Sequence, residues 1–351
     1  MKQKLLGMSL LQLKEVASKL GLPGFAAAQM ASWLYVRKVD TIDAMTNLSK
    51  QARERLNEEY EVGWTHPEES FRSKDGTVKY LFPVSCPVRR AGAPEAMETS
   101  VVEAVVIPDG DRNTLCISSQ AGCKMGCKFC MTGRQFWHGN LDAAQILSQI
   151  VAIPESVALT NVVFMGMGEP LDNYTELSGV LDCLTAEWGF GWSPKRITVS
   201  TIGYLPNLKR LLDEHKCHVA VSLHNPFPDE RLSMMPVQAA YPLDEVLRLL
   251  RQYDFTGQRR VSFEYTMFAG FNDDKRHADA LSRLLKGLEC RVNLIRFHRI
   301  PDFPYETSSD AAMELFRQRM NANGVTTTIR ASRGEDIFAA CGLLAGKHGG
   351  K

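Results

Sequence analysis

Three cysteines stand within eight residues of this chain, in the order Cys123-Lys-Met-Gly-Cys127-Lys-Phe-Cys130. A loop that short can turn three sulfurs toward one point and cannot easily supply a fourth. Three thiolates on a [4Fe-4S] cluster leave one iron without a protein ligand, and a small molecule can bind and react there. Phe129, between the last two cysteines, is placed to shield such a cluster. Zinc competes for the same thiols, but it commonly takes four ligands in paired units. His138 is a candidate fourth ligand that has no partner pair. A redox dithiol would use Cys127 and Cys130 and leave Cys123 unexplained. The spacing favours a cluster on Cys123, Cys127 and Cys130.

With an aromatic before its last cysteine, the pattern resembles the radical S-adenosylmethionine (SAM) superfamily. Other groups suit that chemistry. Gly166-Met-Gly168-Glu169-Pro170 follows a strand-like run. Its glycines let backbone approach a ligand, and Glu169 can accept a hydrogen bond from an ammonium such as that of SAM. The alternative is a tight turn with a solvated carboxylate. Ser200, the triplet Ser222-Leu223-His224, and Asn293 fall at or near the ends of expected strands, where they can meet ribose or carboxylate. Any one of them alone would more often be a local cap, so the group carries the argument. Cys116 and Cys341 lie outside the cluster motif. A lone cysteine is usually a small buried hydrophobe, and Cys86, Cys183, Cys217 and Cys290 are read that way. Cys341 has small neighbours, Ala339, Ala340 and Gly342, which admit either close approach of another group or tight packing. Spacing does not decide between these.

The elements that must position these groups follow from periodicity. Ser9 reads as an N-cap, with Leu10, Leu13, Val16, Ala17 and Leu20 at helical spacing and Gly21 as a stop. A second helix is expected from Phe25, carrying Met30, Trp33 and Leu34, and a third after Ser49. The turn between the first two has backbone amides that could meet phosphate, although a plain packing domain fits these helices equally. Asp75-Gly76 marks a hairpin. The Pro-, Gly- and Ala-rich stretch from Val84 to Met97, with Arg89-Arg90, reads as a loop. A strand follows over Thr99 to Ile107 and contains Glu103. From Thr114 onward six strand-like runs alternate with helical stretches, which predicts a parallel sheet with right-handed crossovers. Ligands in such folds sit at the C-terminal ends of the strands, and the cysteine loop directly follows the first one. The expected class is α/β, a partial (βα)6 barrel with an N-terminal helical domain. The expected division is residues 1–62, a hairpin and linker segment 63–108, the barrel 109–332, and a tail 333–351 carrying Cys341.

Composition bounds the remainder. The 351 residues are 44% hydrophobic and 23% charged, ordinary for a globular chain with a sizeable core. A net charge of +1 means that any nucleic-acid surface must be a local patch. Nine cysteines, three of them clustered, argue for a reducing compartment rather than a disulfide framework. No signal-peptide core or membrane-length apolar run is visible, so a cytoplasmic protein without membrane partners is expected.

Taken together, the segments resemble the RlmN/Cfr-like radical-SAM adenosine methyltransferases, and among them most the C2-methylating RlmN branch. The resemblance covers essentially the whole chain. It is carried by Val102-Glu103, Thr114-Leu-Cys116 through Cys123, the cluster loop, Met165-Gly-Met-Gly-Glu-Pro170, Val199-Ser-Thr-Ile-Gly203, Ser222-Leu-His224, Asn293-Leu-Ile and Gly334-Glu-Asp-Ile-Phe-Ala-Ala-Cys341-Gly. It implies RNA binding by the N-terminal helices and methylation of adenine C2 in 23S rRNA, at the peptidyl transferase centre, and in tRNA next to the anticodon. It also implies two SAM molecules per turnover. One methylates Cys341. The second, on the open iron, is cleaved by an external reductant such as a flavodoxin, and the resulting radical takes hydrogen from that methyl group. The methylene carbon adds to the adenine, Glu103 removes the ring proton, and Cys116 releases the RNA by forming a disulfide with Cys341. Gly168, Glu169, Ser200, Ser222, Leu223, His224 and Asn293 are implied as SAM contacts, and a monomer is expected. Ser200-Thr-Ile-Gly and Asn293-Leu-Ile-Arg296 also look like the C8-methylating branch, so C8 stays open here. Outside enzymes, a non-catalytic iron–sulfur RNA-binding or electron-transfer protein would leave Glu103, Glu169 and Cys341 idle.

Overall fold

Ser9 opens the first helix through a reciprocal cap: its Oγ accepts from Gln12 N at 3.2 Å, and Gln12 Oε1 accepts from Ser9 N at 2.8 Å. The computed structural model describes residues 2–88 and 95–345. It begins with β1 (Gln3–Lys4), α1 (Leu10–Lys19), α2 (Ala26–Ala31), α3 (Lys50–Glu59) and β2 (Tyr60–Glu61), with β1 and β2 parallel. Leu13, Met30, Leu34 and Leu56 are fully buried and hold this unit together. After α2 the chain continues as a π-helical turn over Ser32–Val36.

β3 (Glu69–Arg72), β4 (Val78–Val88), β5 (Ala96–Asp109) and β6 (Arg112–Cys116) form an antiparallel run. The expected hairpin turn sits between β3 and β4, with Gly76 at φ 87°. The stretch Val84 to Met97 differs from its expected loop. Val84–Val88 completes β4, and Ala96–Met97 begins β5. Arg89-Arg90, and Gly346 at the far end of the tail, lie outside the described residues.

A two-residue antiparallel pair, β7 (Gln120–Ala121) and β8 (Gly139–Asn140), closes the cysteine loop at its neck. Then come α4 (Ala143–Val151), β9 (Asn161–Phe164), α5 (Tyr174–Thr185), β10 (Ile197–Thr201), α6 (Leu205–Glu214), β11 (His218–Ser222), α7 (Pro228–Met234), α8 (Leu243–Leu250), β12 (Val261–Met267), α9 (Lys275–Leu285), β13 (Arg291–Arg296), α10 (Asp310–Ala322) and β14 (Thr327–Ile329). The main sheet is open, in the order β14-β13-β12-β11-β10-β9-β6-β5-β4-β3, and it is parallel from β6 to β14. The six expected strands are β6 and β9 to β13, so the α/β partial-barrel architecture is the observed one. α7 was not expected. Leu115, Val162, Val199, Val221, Phe263 and Leu294, one from each of those six strands, are fully buried. Cys86, Cys183 and Cys217 are buried as expected, whereas Cys290, on the turn before β13, is half-buried. Among the described residues no helix is long and apolar enough to cross a membrane.

Candidate active site

The loop after β6 carries Cys123, Cys127 and Cys130 to the C-terminal ends of the strands. Its last turn is built from Cys130 N donating to Cys127 O (3.2 Å) and Lys128 N donating to Met234 O (3.0 Å). Cys123, Cys127 and Cys130 line one cavity of about 140 Å³ with Phe129, Gly166, Gly168, Glu169, Ser200, Ser222 and His224. Burial pushes the Cys123 thiol up to about 12 and raises Cys127 and Cys130, the charges of neighbouring thiols adding to it at Cys123 and Cys127. Desolvated thiols stay neutral unless a cation compensates them, and bound iron supplies that charge. Among the described residues no three His, Cys, Asp or Glu side chains could hold a single metal ion. Three thiols on one hollow, one buried and two half-buried, are a donor set that fits a cluster with one open iron better than four-coordinate zinc.

Gly166 and Gly168 shape the opposite wall. A Cβ at Gly166 would stand 2.6 Å from Ile117 O, and one at Gly168, where φ is +100°, 2.5 Å from Gln120 Cβ. Glu169 follows, 3% exposed. Its Oε1 accepts from Leu171 N (3.1 Å) and its Oε2 from Ile202 N (2.9 Å). Burial outweighs these bonds and pushes the carboxyl up to about 7. A carboxyl poised there is ionised readily by an arriving ammonium.

His224 has φ 57°. Its Nδ1 accepts from Thr266 N at 2.9 Å, so Nε2 carries the proton of the neutral ring and can donate. Burial, with Arg231 adding to it, lowers its pKa to about 3. Two implied SAM contacts are not on this wall. Leu223 is fully buried. Asn293 Nδ2 donates to Glu264 Oε1 (2.8 Å), its register partner on β12, and its Oδ1 accepts from Thr328 (3.0 Å).

Arg231 on α7 is a residue that sequence reasoning missed. It donates to Leu223 O (3.1 Å), Ile202 O (3.1 Å), Ser222 O (3.0 Å) and Gln238, tying the ends of β10 and β11 together. A seven-residue helix beginning at Pro228 offers too little periodicity to be found.

A second cavity of about 290 Å³ joins the two remaining cysteines. Cys116 at the end of β6 and Cys341 in the tail both line it, with Arg112, Arg296, Arg330 and Arg333. Met165 borders both cavities. Cys116 is buried, which pushes its thiol up to about 12; the neighbouring Cys341 adds to this and Arg330 opposes it. Cys341 is exposed as a residue, yet the protein crowding its sulfur raises the thiol's pKa, and Arg330 pulls the other way. Both thiols are free.

The tail is docked on the cluster loop. Met131 N donates to Gly342 O (2.8 Å), Thr132 Oγ1 to Leu344 O (2.7 Å), and the Gln135 amide to Ala345 O. Beyond them Ala345 N donates to Glu103 Oε1 at 3.1 Å, with Lys79 Nζ 3.5 Å from Oε2. Glu103 is 1% exposed and lies beneath the tail rather than on the cysteine cavity wall.

Comparison with known proteins agrees with this geometry. The radical SAM superfamily matches residues 117–281, and the ribosomal RNA large subunit methyltransferase N-terminal domain matches residues 3–62. The chain is 58% identical to the probable dual-specificity RNA methyltransferase RlmN of Parabacteroides distasonis, over 98% of this chain and 97% of that one. It is 39% identical to the dual-specificity RNA methyltransferase RlmN of Syntrophus aciditrophicus, over 97% and 95%. The crystal structure of a radical SAM methyltransferase from Sphaerobacter thermophilus superposes with a TM-score of 0.88 at 37% identity, covering 98% of this chain and all of that one.

Proposed function

The chain belongs to the RlmN family of radical-SAM RNA methyltransferases, and from that membership we propose that it methylates C2 of an adenosine in 23S rRNA and in tRNA, carrying the methyl group on Cys341. The observation that carries this reading is the shared cavity of Cys116 and Cys341, lined by four arginines and bordered by Met165, which also lines the cavity of the cluster thiols.

Cys123, Cys127 and Cys130 hold the [4Fe-4S] cluster, which when bound supplies the electron that cleaves SAM. Glu169, Ser200, Ser222 and His224 line the space beside it and orient SAM, Glu169 through its carboxylate and His224 through Nε2–H. Cys341, as a thiolate, accepts a methyl group by displacement. The new S–C bond forms as the bond to the SAM sulfonium breaks, and S-adenosylhomocysteine leaves. Hydrogen-atom transfer from that methyl to the 5'-deoxyadenosyl radical of the second SAM gives 5'-deoxyadenosine and a methylene radical, whose carbon adds to the electron-poor adenine ring. Glu103 takes the ring proton as the adduct radical gives back the one electron that the cleavage of SAM consumed. The Cys116 thiolate then attacks the Cys341 sulfur, forming the disulfide as the bond from that sulfur to the methylene carbon breaks, and the departing carbon takes a proton to become the methyl group of the base. The N-terminal helices engage RNA. The reductant is an external one-electron donor of the flavodoxin kind, and the enzyme works as a cytoplasmic monomer.

The test is anaerobic turnover of reconstituted enzyme with methyl-deuterated SAM, reductant and an adenosine-containing RNA, followed by nucleoside mass spectrometry. We expect 2-methyladenosine with two deuterium atoms retained in the methyl group, because one is lost on Cys341. A fully deuterated methyl group would mean direct transfer, and 8-methyladenosine would move the reaction to the other carbon.

A further inference from the structure

The tail that bears Cys341 also bears an exposed ring on backbone that rings avoid. After Gly334 one 3-10 turn, Glu335–Ile337, ends at Phe338 with φ 53° and ψ 39°. Left-handed backbone is a genuine outlier for a bulky residue and persists only where the surroundings enforce it. Here they do. Phe338 N donates to Glu335 O (3.1 Å), Ala339 N donates to Gly334 O (2.8 Å), and Asp336 accepts from Ser73 Oγ (2.5 Å) and Lys74 N (3.2 Å). The turn sends Ala339 and Ala340 inward and leaves Phe338 50% exposed.

Phe338 lines an open cleft of about 650 Å³ with Arg299, Pro301, Phe303 and Pro304. Phe303 is anchored from below by Phe297 and Phe268, at ring distances of 5.3 and 5.8 Å. The cleft and the cysteine cavity are lined by chain neighbours on two segments: His298 and Ala339 line the cavity, Arg299 and Phe338 the cleft. Four arginines and Asp109 line the cysteine cavity; Arg333 pairs with Asp109 at 3.2 Å and Arg296 with Asp310 at 2.5 Å, so the arginines outnumber the acid in that lining. Three residues of chain span at most about 11 Å, and successive bases of a strand rise about 3.4 Å. Phe338 is thus within a few nucleotides of any base presented to Cys341.

We propose that Phe338 and Phe303 form a stacking site for an unpaired base of the RNA substrate, a neighbour of the adenosine presented to Cys341. The proposal rests on the RNA-methylation reading above. Aromatic stacking accepts any base, because every base has a π face. It therefore holds the strand while leaving the choice of target to the cysteine cavity.

The test uses a hairpin RNA carrying the target adenosine in its loop, and the same RNA with an abasic ribose at each flanking position in turn. The main variant is Phe338→Gly, since glycine relieves left-handed backbone. Its melting temperature should hold or rise, while KM for intact RNA rises about tenfold and kcat changes little. Phe338→Trp should restore KM. In the wild type one abasic position should carry the same tenfold penalty, and in Phe338→Gly that penalty should vanish. An unchanged KM, or an abasic penalty that survives in Phe338→Gly, overturns the proposal. A lower melting temperature with unchanged KM makes the ring structural. If the RNA-methylation reading itself is wrong, the wild type methylates none of these RNAs, an outcome separate from failure of the stacking site.

Discussion

Replacing Arg231 by methionine keeps most of the side-chain volume and removes the charge on which the ends of β10 and β11 depend. The guanidinium is 1% exposed and donates to the carbonyls of Leu223, Ser222 and Ile202 and to Gln238. Burial lowers its pKa to about 10, still well above neutrality, so the charge is present at any assay pH near 7. Hydrogen bonds from a charged donor contribute roughly 1.5–3 kcal/mol each, and desolvating the cation offsets several kcal/mol of their sum. The variant recovers that desolvation but leaves three buried carbonyls and an amide facing a thioether. A net loss of about 3–5 kcal/mol follows, the scale for breaking a buried charged cluster. At about 2–4 °C per kcal/mol for a domain of this size, the melting temperature should fall by about 6–20 °C. The assay is thermal unfolding of the cluster-free wild type, Arg231→Met and Arg231→Lys, followed by circular dichroism. Lysine keeps the charge but cannot reach three diverging carbonyls, so it should lie between the other two. A shift under about 2 °C for Arg231→Met, or a lysine variant as stable as the wild type, would refute the reasoning.

Three further outcomes are expected. Gly168→Ala puts a Cβ 2.5 Å from Gln120 Cβ at a φ of +100°, so SAM binding measured by equilibrium dialysis should fall at least tenfold with the iron content unchanged. Glu169, with its carboxyl pushed up to about 7 from 4.5, must lose a proton to pair with an ammonium. SAM affinity should therefore drop about tenfold per pH unit below 7 and flatten above it. Over pH 4.5 to 7 the folded, ligand-free chain holds more protons at this site than the unfolded chain, so its stability should decrease as pH rises; a flat affinity profile from pH 5.5 to 8 would remove the ion pair. Finally, Cys341→Ala should take up no methyl group, whereas Cys116→Ala should react once and hold RNA covalently on Cys341, visible as a shifted band of labelled RNA on a denaturing gel. Free turnover by Cys116→Ala would contradict its role in release.

What could be read from the chain alone was whatever is local. Three thiols within eight residues must sit in one loop whatever the fold. The Ser9 cap, the Asp75-Gly76 turn and the Gly-Met-Gly-Glu corner each depend on neighbours a few positions away. The alternation of six strands with helices, and hence the parallel sheet, followed from period alone. The extended ends of β4 and β5 were missed because prolines suggested a loop. Pairing with β3 stops at Leu81, so Pro83 and Pro87 sit where β4 has an open edge and need no N–H there, while Val84, Cys86 and Val88 alternate inward. That alternation was the available signal.

Tertiary structure alone decided the rest. Ser222 and Asn293 stand in one register row on either side of Glu264, yet the Asn293 side chain donates to Glu264 while Ser222 lines the cavity. An arginine on a seven-residue helix gives no sign that it will tie two strand ends together. Cys116 and Cys341, at opposite ends of the barrel sequence, meet only because the tail folds back over the cluster loop through Gly342, Leu344 and Ala345. Contacts between distant segments depend on loop closure and on the packing of everything between them, and no pattern within a short window encodes them.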